Sequence, residues 1–283
     1  MKIHVIQTGT VSLTTSWRQG VGHGMRRYAN TLFTREWTQP LPIYAFAIEH
    51  PDGVIVVDTG ESARVSEPGY IPRWQPFFRF AVRMDVKPEQ EIGPQLEALG
   101  ITPRDVRTVV LTHLHTDHAG GLSHFPGVAT LVTRKELEYA RGLAGRVRGY
   151  PSNRWPDWFD PTPIDLPVAP FGSFPASLPV TKAGDVTLVP APGHTPGHIA
   201  VVVDEGAQSV FLAGDSSYTE AAMIAGQVDG VGPDERAEKL THERIRAFAA
   251  DRPTVYLPAH DPETPTRLAE RRPVAAERLA VAA

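Results

Sequence analysis

Four apolar stretches of the sequence each end in a histidine or an aspartate, and this pattern most constrains how the chain can fold. They are "TVVLTHLHTDH", "VTLVPAPGH", "VFLAGD" and "VYLPAH". Short apolar runs of this kind are typical of buried strands. If the strands share sheets with a common direction, their C-terminal ends meet at one rim. The polar side chains that follow them would then come together.

The side chains at these strand ends are all of types that ligate metal ions. They are His113, His115, Asp117, His118, His194, Asp215 and His260. His113 and His115 are two positions apart in extended chain and project to the same side, so they can bind one ion with His194. A first metal position is therefore predicted at this rim.

A second metal position is predicted from the residues just past the first turn. Asp117 and His118 lie beyond that turn, where they can bind another ion together with His260. Asp215 has two carboxylate oxygens and is the natural bridge between two cations. We therefore expect a site for two divalent transition metals.

Composition limits the chemistry and the partners of this site. The sequence has no cysteine, so the ligands must be nitrogen and oxygen. Lys and Arg number 28 against 32 Asp and Glu, which gives a net charge of -4 and no basic field for nucleic acid. No apolar run approaches the roughly 18 residues that span a bilayer, and the N-terminal run is too short for a signal peptide. We expect a cytoplasmic protein that does not bind nucleic acid or membranes.

Strand and helix patterns alternate along the whole chain without a separating linker. Residues 2–13 and 42–60 are predicted strands, the latter with a hairpin turn at "HPDG", and residues 87–100 a helix that ends at Gly100. We expect one domain over residues 1–283, with inserted loops at about 61–86 and 142–180. Loops of this length usually have a function. Their aromatic residues suit either a substrate wall or the interface of a homodimer.

The motifs "HLHTDH", "GHTPGH", "LAGD" and "PAHD", with "VVDTG" upstream, resemble those of the metallo-β-lactamase superfamily across nearly the whole chain. The resemblance implies an α/β fold: an αββα four-layer sandwich of two mixed β-sheets flanked by helices, with a dinuclear site at one edge. It also implies that Asp58 and His198 support the ligands by hydrogen bonds, as metal-bound imidazoles require.

Within the superfamily, "GDSSY" is similar to the N-acyl homoserine lactonases, the quorum-quenching branch, in which a tyrosine three residues after the bridging aspartate faces the active site. Tyr218 has that position. The absence of cysteine disfavours the commonest zinc β-lactamases, and the short segment after His260 leads us to expect no added C-terminal domain as in glyoxalase II. The resemblance implies a small-molecule lactone substrate and zinc most often, with iron, cobalt or manganese as alternatives.

The implied reaction is hydrolysis of the lactone ring by a metal-bridging hydroxide. Tyr218 would stabilise the oxyanion, and Asp117 would pass a proton to the leaving alkoxide. Four aromatic residues of the long loops are candidates for the acyl-chain pocket, by elimination only: Trp74, Phe77, Phe78 and Trp155. Two alternatives stay open: hydrolysis of another lactone, ester or thioester at the same site, and a non-hydrolytic diiron protein.

The prediction of two metal positions is tested by elemental analysis of carefully loaded protein. We expect two transition-metal ions per chain, because the seven side chains supply ligands for both. Fewer than one ion per chain would contradict the dinuclear site.

Overall fold

A computed structural model describes residues 1–71, 74–161 and 163–281. In these residues the first sheet has six strands in the order β4-β1-β2-β3-β5-β6. The strands are β1 (Lys2–Leu13), β2 (Leu41–Glu49), β3 (Val54–Val57), β4 (Val82–Asp85), β5 (Val106–Val110) and β6 (Ala129–Leu131). The pairs β4–β1, β1–β2 and β2–β3 are antiparallel, whereas the pairs β3–β5 and β5–β6 are parallel. The sheet is therefore mixed.

The second sheet has five strands in the order β11-β10-β9-β8-β7. They are β7 (Leu178–Pro179), β8 (Val186–Pro190), β9 (Ile199–Asp204), β10 (Ser209–Gly214) and β11 (Thr254–Pro258). β10 and β11 are parallel. β9 is antiparallel to both β8 and β10, so β8, β10 and β11 all run in the same direction. Their C-terminal ends therefore lie at the same edge of the sheet.

Helices of four to 17 residues lie in the connections between the strands and after the last strand, β11. They are α1 (Thr15–Arg18), α2 (Gly24–Phe33), α3 (Pro76–Phe80), α4 (Ile92–Ala98), α5 (Thr116–Ala119), α6 (Arg134–Ala140), α7 (Gly142–Val147), α8 (Glu220–Ile224), α9 (Glu235–Asp251), α10 (Thr264–Ala269) and α11 (Ala276–Val281). Among the helices of the described residues, none combines the length and the apolar character that a membrane span requires.

Alternate residues of the strands face two different apolar cores. In β3, Ile55 and Val57 face the second sheet, whereas Val54 and Val56 contact the core under α4 and α6. In β10, Val210 faces the first sheet, whereas Phe211 and Ala213 lie on the opposite face and pack against α8 and α9. Because successive side chains of a strand point to opposite faces, each sheet is covered on both sides. This confirms the αββα sandwich.

The two segments predicted as inserted loops contain regular structure. Residues 61–86 include α3 and β4, and β4 extends the first sheet by pairing with β1 from Thr10–Asp85 to Leu13–Val82. Residues 142–180 include α7 and the two-residue strand β7 at the edge of the second sheet. Both segments are thus joined to the sandwich through edge strands.

Gly60, which follows β3, permits a close approach of two chain segments. Its φ is +68°, and a Cβ added there would lie 2.0 Å from Oγ1 of Thr8 on β1. A side chain at this position would therefore be both strained and overpacked.

We expect Gly60→Ala to lower the free energy of unfolding by about 2–4 kcal/mol, from the left-handed conformation and from overpacking against Thr8. Gly184→Ala is the matched control, since Gly184 has a φ of +74° but no atom within 4 Å of an added Cβ. It should cost about 1 kcal/mol. Urea unfolding of both variants measures the difference, and equal values would contradict the crowding by Thr8.

Candidate metal centre

The seven side chains predicted as metal ligands lie together at one edge of the sandwich. His113 and His115 follow β5, and Asp117 and His118 lie on α5 immediately after them. The other three follow strands of the second sheet: His194 after β8, Asp215 after β10 and His260 after β11. Strand ends of both sheets therefore contribute to one cluster of imidazoles and carboxylates.

The first group of potential ligand atoms comprises nitrogens of three histidines. Nδ1 of His115 lies 3.0 Å from Nε2 of His113 and 3.0 Å from Nε2 of His194. Nitrogens bound to one tetrahedral zinc ion lie about 3.3 Å apart, given zinc–nitrogen distances of about 2.0–2.1 Å. These three nitrogens are thus arranged to bind a single ion.

The second group comprises Asp117, His118 and His260. Oδ2 of Asp117 lies 3.4 Å from Nε2 of His260. Oδ1 of Asp215 lies 3.3 Å from Nε2 of His118 and 3.3 Å from Nε2 of His260. A second cation could be held among these atoms.

Asp215 lies between the two groups and faces each with a different oxygen. Its Oδ1 faces His118 and His260, whereas its Oδ2 lies 3.5 Å from Nε2 of His194. Within the described residues, Oδ1 of Asp215 and Nε2 of His118 are buried without a hydrogen-bond partner. Unpaired buried polar atoms are costly, and a shared cation would satisfy both. The residues present therefore fit the binding of metal ions on both sides of Asp215.

Asp58 holds the ligand loop from the neighbouring strand end. Its Oδ2 contacts Nδ1 of His118 at 2.8 Å and accepts a hydrogen bond from Oγ1 of Thr112 at 2.8 Å. Its Oδ1 accepts the backbone N–H of Thr112 at 2.7 Å. Asp58 has a φ of +59°, an unusual conformation for a residue other than glycine. The strained turn after β3 thus orients His118 and fixes the start of the ligand loop.

His194 is oriented by Asp229, a residue that the strand-end pattern does not find. Nδ1 of His194 contacts Oδ2 of Asp229, and both side chains are buried. Oδ1 of Asp229 accepts the N–H groups of Val231 and Gly232. Asp229 lies in the loop between α8 and α9 and follows no strand, so nothing in its sequence context marks it.

Two further contacts fix ligands on the side of the second sheet. Nδ1 of His260 donates to the backbone oxygen of Pro42 at 2.8 Å, which turns Nε2 toward the cluster. Nε2 of His198 accepts the N–H of Asp215 at 3.1 Å. His198, predicted to support the ligands, is buried beside them, and it holds the backbone of Asp215.

Glu136 on α6 joins the two loops that carry the first group of histidines. Its Oε1 accepts the N–H of Leu114, between His113 and His115, at 3.0 Å. Its Oε2 accepts Oγ1–H of Thr195 at 2.6 Å and the N–H of Gly197 at 3.2 Å. One buried carboxylate therefore sets the distance between two ligand loops that come from different sheets.

The pKa values of the histidines differ because their surroundings differ. Burial lowers the pKa of His115 to about 3 and that of His113 well below its usual value, so both are neutral with a lone pair free for a cation. Burial also lowers the pKa of His260, but the Asp215 carboxylate outweighs it and raises that pKa to about 10. A cation that binds His260 must therefore displace a proton.

Tyr218 lies beside the cluster, as its position after Asp215 predicts. Its ring stacks on that of His260 with centroids 5.4 Å apart, and its hydroxyl accepts a hydrogen bond from Nε1 of Trp17 at 2.7 Å. The hydroxyl keeps its own proton to donate. Trp17, on α1 after the first strand, is a second residue that the sequence pattern does not identify.

A cavity opens next to the cluster and reaches Tyr218. We call it the apolar cavity, since side chains of β1, α3 and β4 form its wall: Val11, Leu13, Phe77, Phe78, Val82 and Met84. Asp117, Asp215 and Tyr218 line its polar end. Phe77 and Phe78, two of the four predicted pocket residues, therefore lie next to the cluster.

The other two predicted pocket residues lie elsewhere. Trp74 does not line the apolar cavity; it is 53% exposed, with the Arg146 guanidinium over its ring. Trp155 packs edge-to-face on Phe159 in the core on the outer face of the first sheet. Choice by elimination could not separate aromatic residues of the two loops that face different surroundings.

We expect Asp229→Asn to weaken metal binding to the histidine group about 10- to 100-fold, since it removes the charge that orients His194. Competition with a chelator measures the affinity. Asp165→Asn is the control, because Asp165 is an exposed carboxylate paired only with Arg134 among the described residues. Equal affinity of Asp229→Asn and wild type would contradict the role of this contact.

The chain is similar to known proteins. The profile of the metallo-beta-lactamase superfamily matches residues 38–260. A probable metallo-hydrolase of Mycobacterium tuberculosis is 34% identical over 188 residues, which cover 64% of this chain. The matched region spans only 58% of the length of that mycobacterial protein.

Relatives that match over a larger share of their length are lactonases by name. The N-acyl homoserine lactonase AttM of Agrobacterium fabrum is 28% identical over 246 residues, with 79% of this chain and 83% of that protein covered. A solved N-acyl homoserine lactone hydrolase, with N-hexanoyl-L-homoserine bound at its catalytic metal centre, superposes with a TM-score of 0.72 at 22% identity, over 94% of this chain and 95% of the other. At this identity the superposition establishes the fold alone. The match of the superfamily profile from residue 38 to the last predicted ligand, His260, shows that the chain belongs to the metallo-beta-lactamase superfamily.

Proposed function

We propose that this chain is a dinuclear metallohydrolase that opens the lactone ring of N-acyl homoserine lactones. The observation that carries the proposal is the position of Tyr218, at the end of an apolar cavity that also exposes Asp117 and Asp215. A substrate with an apolar tail and a reactive carbonyl matches this combination of surfaces. AttM, which is named for this activity, is similar over most of both chains.

The proposed cofactor is a pair of divalent cations, zinc in the first instance, held by the seven residues of the cluster. His113, His115 and His194 would hold one cation. Asp117, His118 and His260 would hold the other, with Asp215 between them. Such a pair supplies Lewis acidity and a hydroxide nucleophile at neutral pH. Imidazole and carboxylate ligands also suit iron, cobalt and manganese, so the donor set does not choose among these metals.

Tyr218 has the geometry of a donor to the substrate carbonyl. One lone pair of its oxygen is occupied by the Trp17 N–H, and its remaining proton is free for an acceptor in the cavity. As the carbonyl carbon is attacked, its oxygen gains negative charge and the Tyr218 hydrogen bond strengthens. A donor of this kind typically contributes a factor of about 10² to 10³ in rate.

Asp117 is placed to transfer a proton from the nucleophile to the leaving alkoxide. The nucleophile loses a proton as the C–O bond of the ring breaks, and the released alkoxide needs one. Asp117 lines the apolar cavity and faces His260, so its carboxylate can accept that proton and deliver it to the ring oxygen. The product is an N-acyl homoserine with a free carboxylate and hydroxyl group.

The apolar cavity is the proposed site of the acyl chain. Its wall includes Phe77 and Phe78, with aliphatic residues of β1 and β4. Burial of each methylene of the chain is favourable by about 0.8 kcal/mol. We therefore expect affinity to rise with acyl length until the cavity is filled.

The homodimer remains a prediction that this site does not require. The segment 61–86 carries exposed aromatic residues, among them Phe80, that a second copy could cover. Size-exclusion chromatography would give the oligomeric state.

A pH-indicator assay tests the substrate. We expect acid release from homoserine lactones of short and long acyl chain, compared with a simple ester and a thioester under the same conditions. Turnover of the ester or thioester without turnover of any lactone would overturn the proposal in favour of a different hydrolase of the same site.

Tyr218→Phe tests the proposed donor. We expect kcat to fall about 10²- to 10³-fold with the metal content unchanged, because the ring is kept and only the hydroxyl is lost. Tyr70→Phe is the matched control, since Tyr70 is a buried tyrosine that packs against Arg64 and Arg154 and does not line the apolar cavity. Activity of Tyr218→Phe equal to that of wild type would remove Tyr218 from the reaction.

A further inference from the structure

Trp17 makes the one side-chain hydrogen bond that the described residues offer to the Tyr218 hydroxyl. Its indole Nε1 donates at 2.7 Å, although 201 positions of sequence separate the two residues. An indole has one N–H and no acceptor, so the direction of this hydrogen bond is fixed. Tyr218 must be the acceptor.

The position of Trp17 is fixed on two sides. Its ring meets that of Phe77 edge-to-face, with centroids 5.5 Å apart at 88°. Its backbone oxygen accepts the N–H of Gly230 at 2.7 Å, and the preceding residue, Asp229, is the partner of His194. Trp17 is thus held by the loop that also orients a predicted metal ligand.

This hydrogen bond constrains the tyrosine proton. A phenol has one proton and two lone pairs, and rotation about the C–O bond would otherwise let the proton take two in-plane directions. With the indole N–H on one side of the oxygen, the proton is directed to the other side. We propose that Trp17 is a positioning residue that keeps the Tyr218 proton directed into the apolar cavity, an inference that rests on the proposed role of Tyr218 in hydrolysis.

An indole at this point of the cavity wall contributes more than an apolar ring would. Trp17 lines the apolar cavity together with Phe77, so an apolar ring alone would complete the wall. The N–H adds a directional contact that a phenylalanine would not give. It also raises the donor strength of the tyrosine, because a hydroxyl that accepts a hydrogen bond polarises and donates more strongly.

The test compares Trp17→Phe, Tyr218→Phe and the double variant, on whichever substrate the lactone, ester and thioester assay identifies. Trp17→Phe keeps an aromatic ring on Phe77 and the backbone bond to Gly230. We expect its kcat to fall about three- to tenfold, the worth of one hydrogen bond, with KM changed less than twofold. In the Tyr218→Phe background the same substitution should have no further effect on kcat.

A spectroscopic measurement reports the bond itself. The sequence has five tryptophans, so the indole N–H signals of the ¹⁵N-labelled, zinc-loaded protein are few, and the one lost in Trp17→Phe is that of Trp17. We expect this signal to move upfield and exchange faster with solvent in Tyr218→Phe. Trp37→Phe is the control, because Trp37 lies against Arg83 and does not line the apolar cavity. It should leave kcat and the Trp17 signal unchanged.

Three results would overturn the proposal, and they separate it from the proposed function. If Tyr218→Phe is impaired but Trp17→Phe has the kcat of wild type, the role of Trp17 fails and that of Tyr218 stands. An equal fall of kcat on Trp17→Phe in both backgrounds would show that Trp17 acts independently of Tyr218. If Tyr218→Phe has full activity, the proposed donor and the role of Trp17 fail together.

Discussion

The burial of Asp215 is the constraint on which the rest of this structure depends. Its carboxylate lies among the imidazoles of His118, His194 and His260 with almost no contact with solvent. A charge in such a place is stable only if opposite charges and hydrogen bonds compensate for the lost water. The imidazoles of the predicted ligands meet this requirement on the side of Asp215. Two further carboxylates, those of Asp58 and Asp229, contact the other ring nitrogens of these imidazoles.

The ligand cluster could be predicted from the sequence because two local rules determine it. Strand residues alternate between two faces, and strands of one direction end at one edge. Asp215 and His260 follow β10 and β11, which are parallel neighbours. Their positions at the C-terminal ends of these strands therefore place the two side chains close together. The layered fold was implied by the resemblance to the metallo-β-lactamase superfamily, and β3 and β10 carry apolar residues on both faces, as buried strands of such a sandwich do.

Asp58 and His198 were implied by the resemblance to the superfamily, but other residues that support the site could not be predicted from the sequence, each for a physical reason. Glu136 lies in "RKELEYA", where its charge looks like part of a solvated helix face, yet it is buried and bonds two ligand loops. Trp17 follows a strand of the first sheet and Tyr218 a strand of the second, so only the packing of the two sheets brings them together. The strand β4 consists of only the four residues VRMD, and its pairing with β1 defines it. These are tertiary relationships with no local pattern.

The wall of the apolar cavity comes from β1, α3 and β4, within residues 11–84, whereas the predicted metal ligands follow β5, β8, β10 and β11, from residue 113 onward. In the proposed reaction, the residues that would hold the metal ions and those that would contact the acyl chain therefore come from separate segments. Substitutions at Val11, Val82 or Met84 can reshape the space for a substrate without displacing a single ligand atom. Such a division lets a lineage exchange one substrate for another while its reaction chemistry is inherited intact.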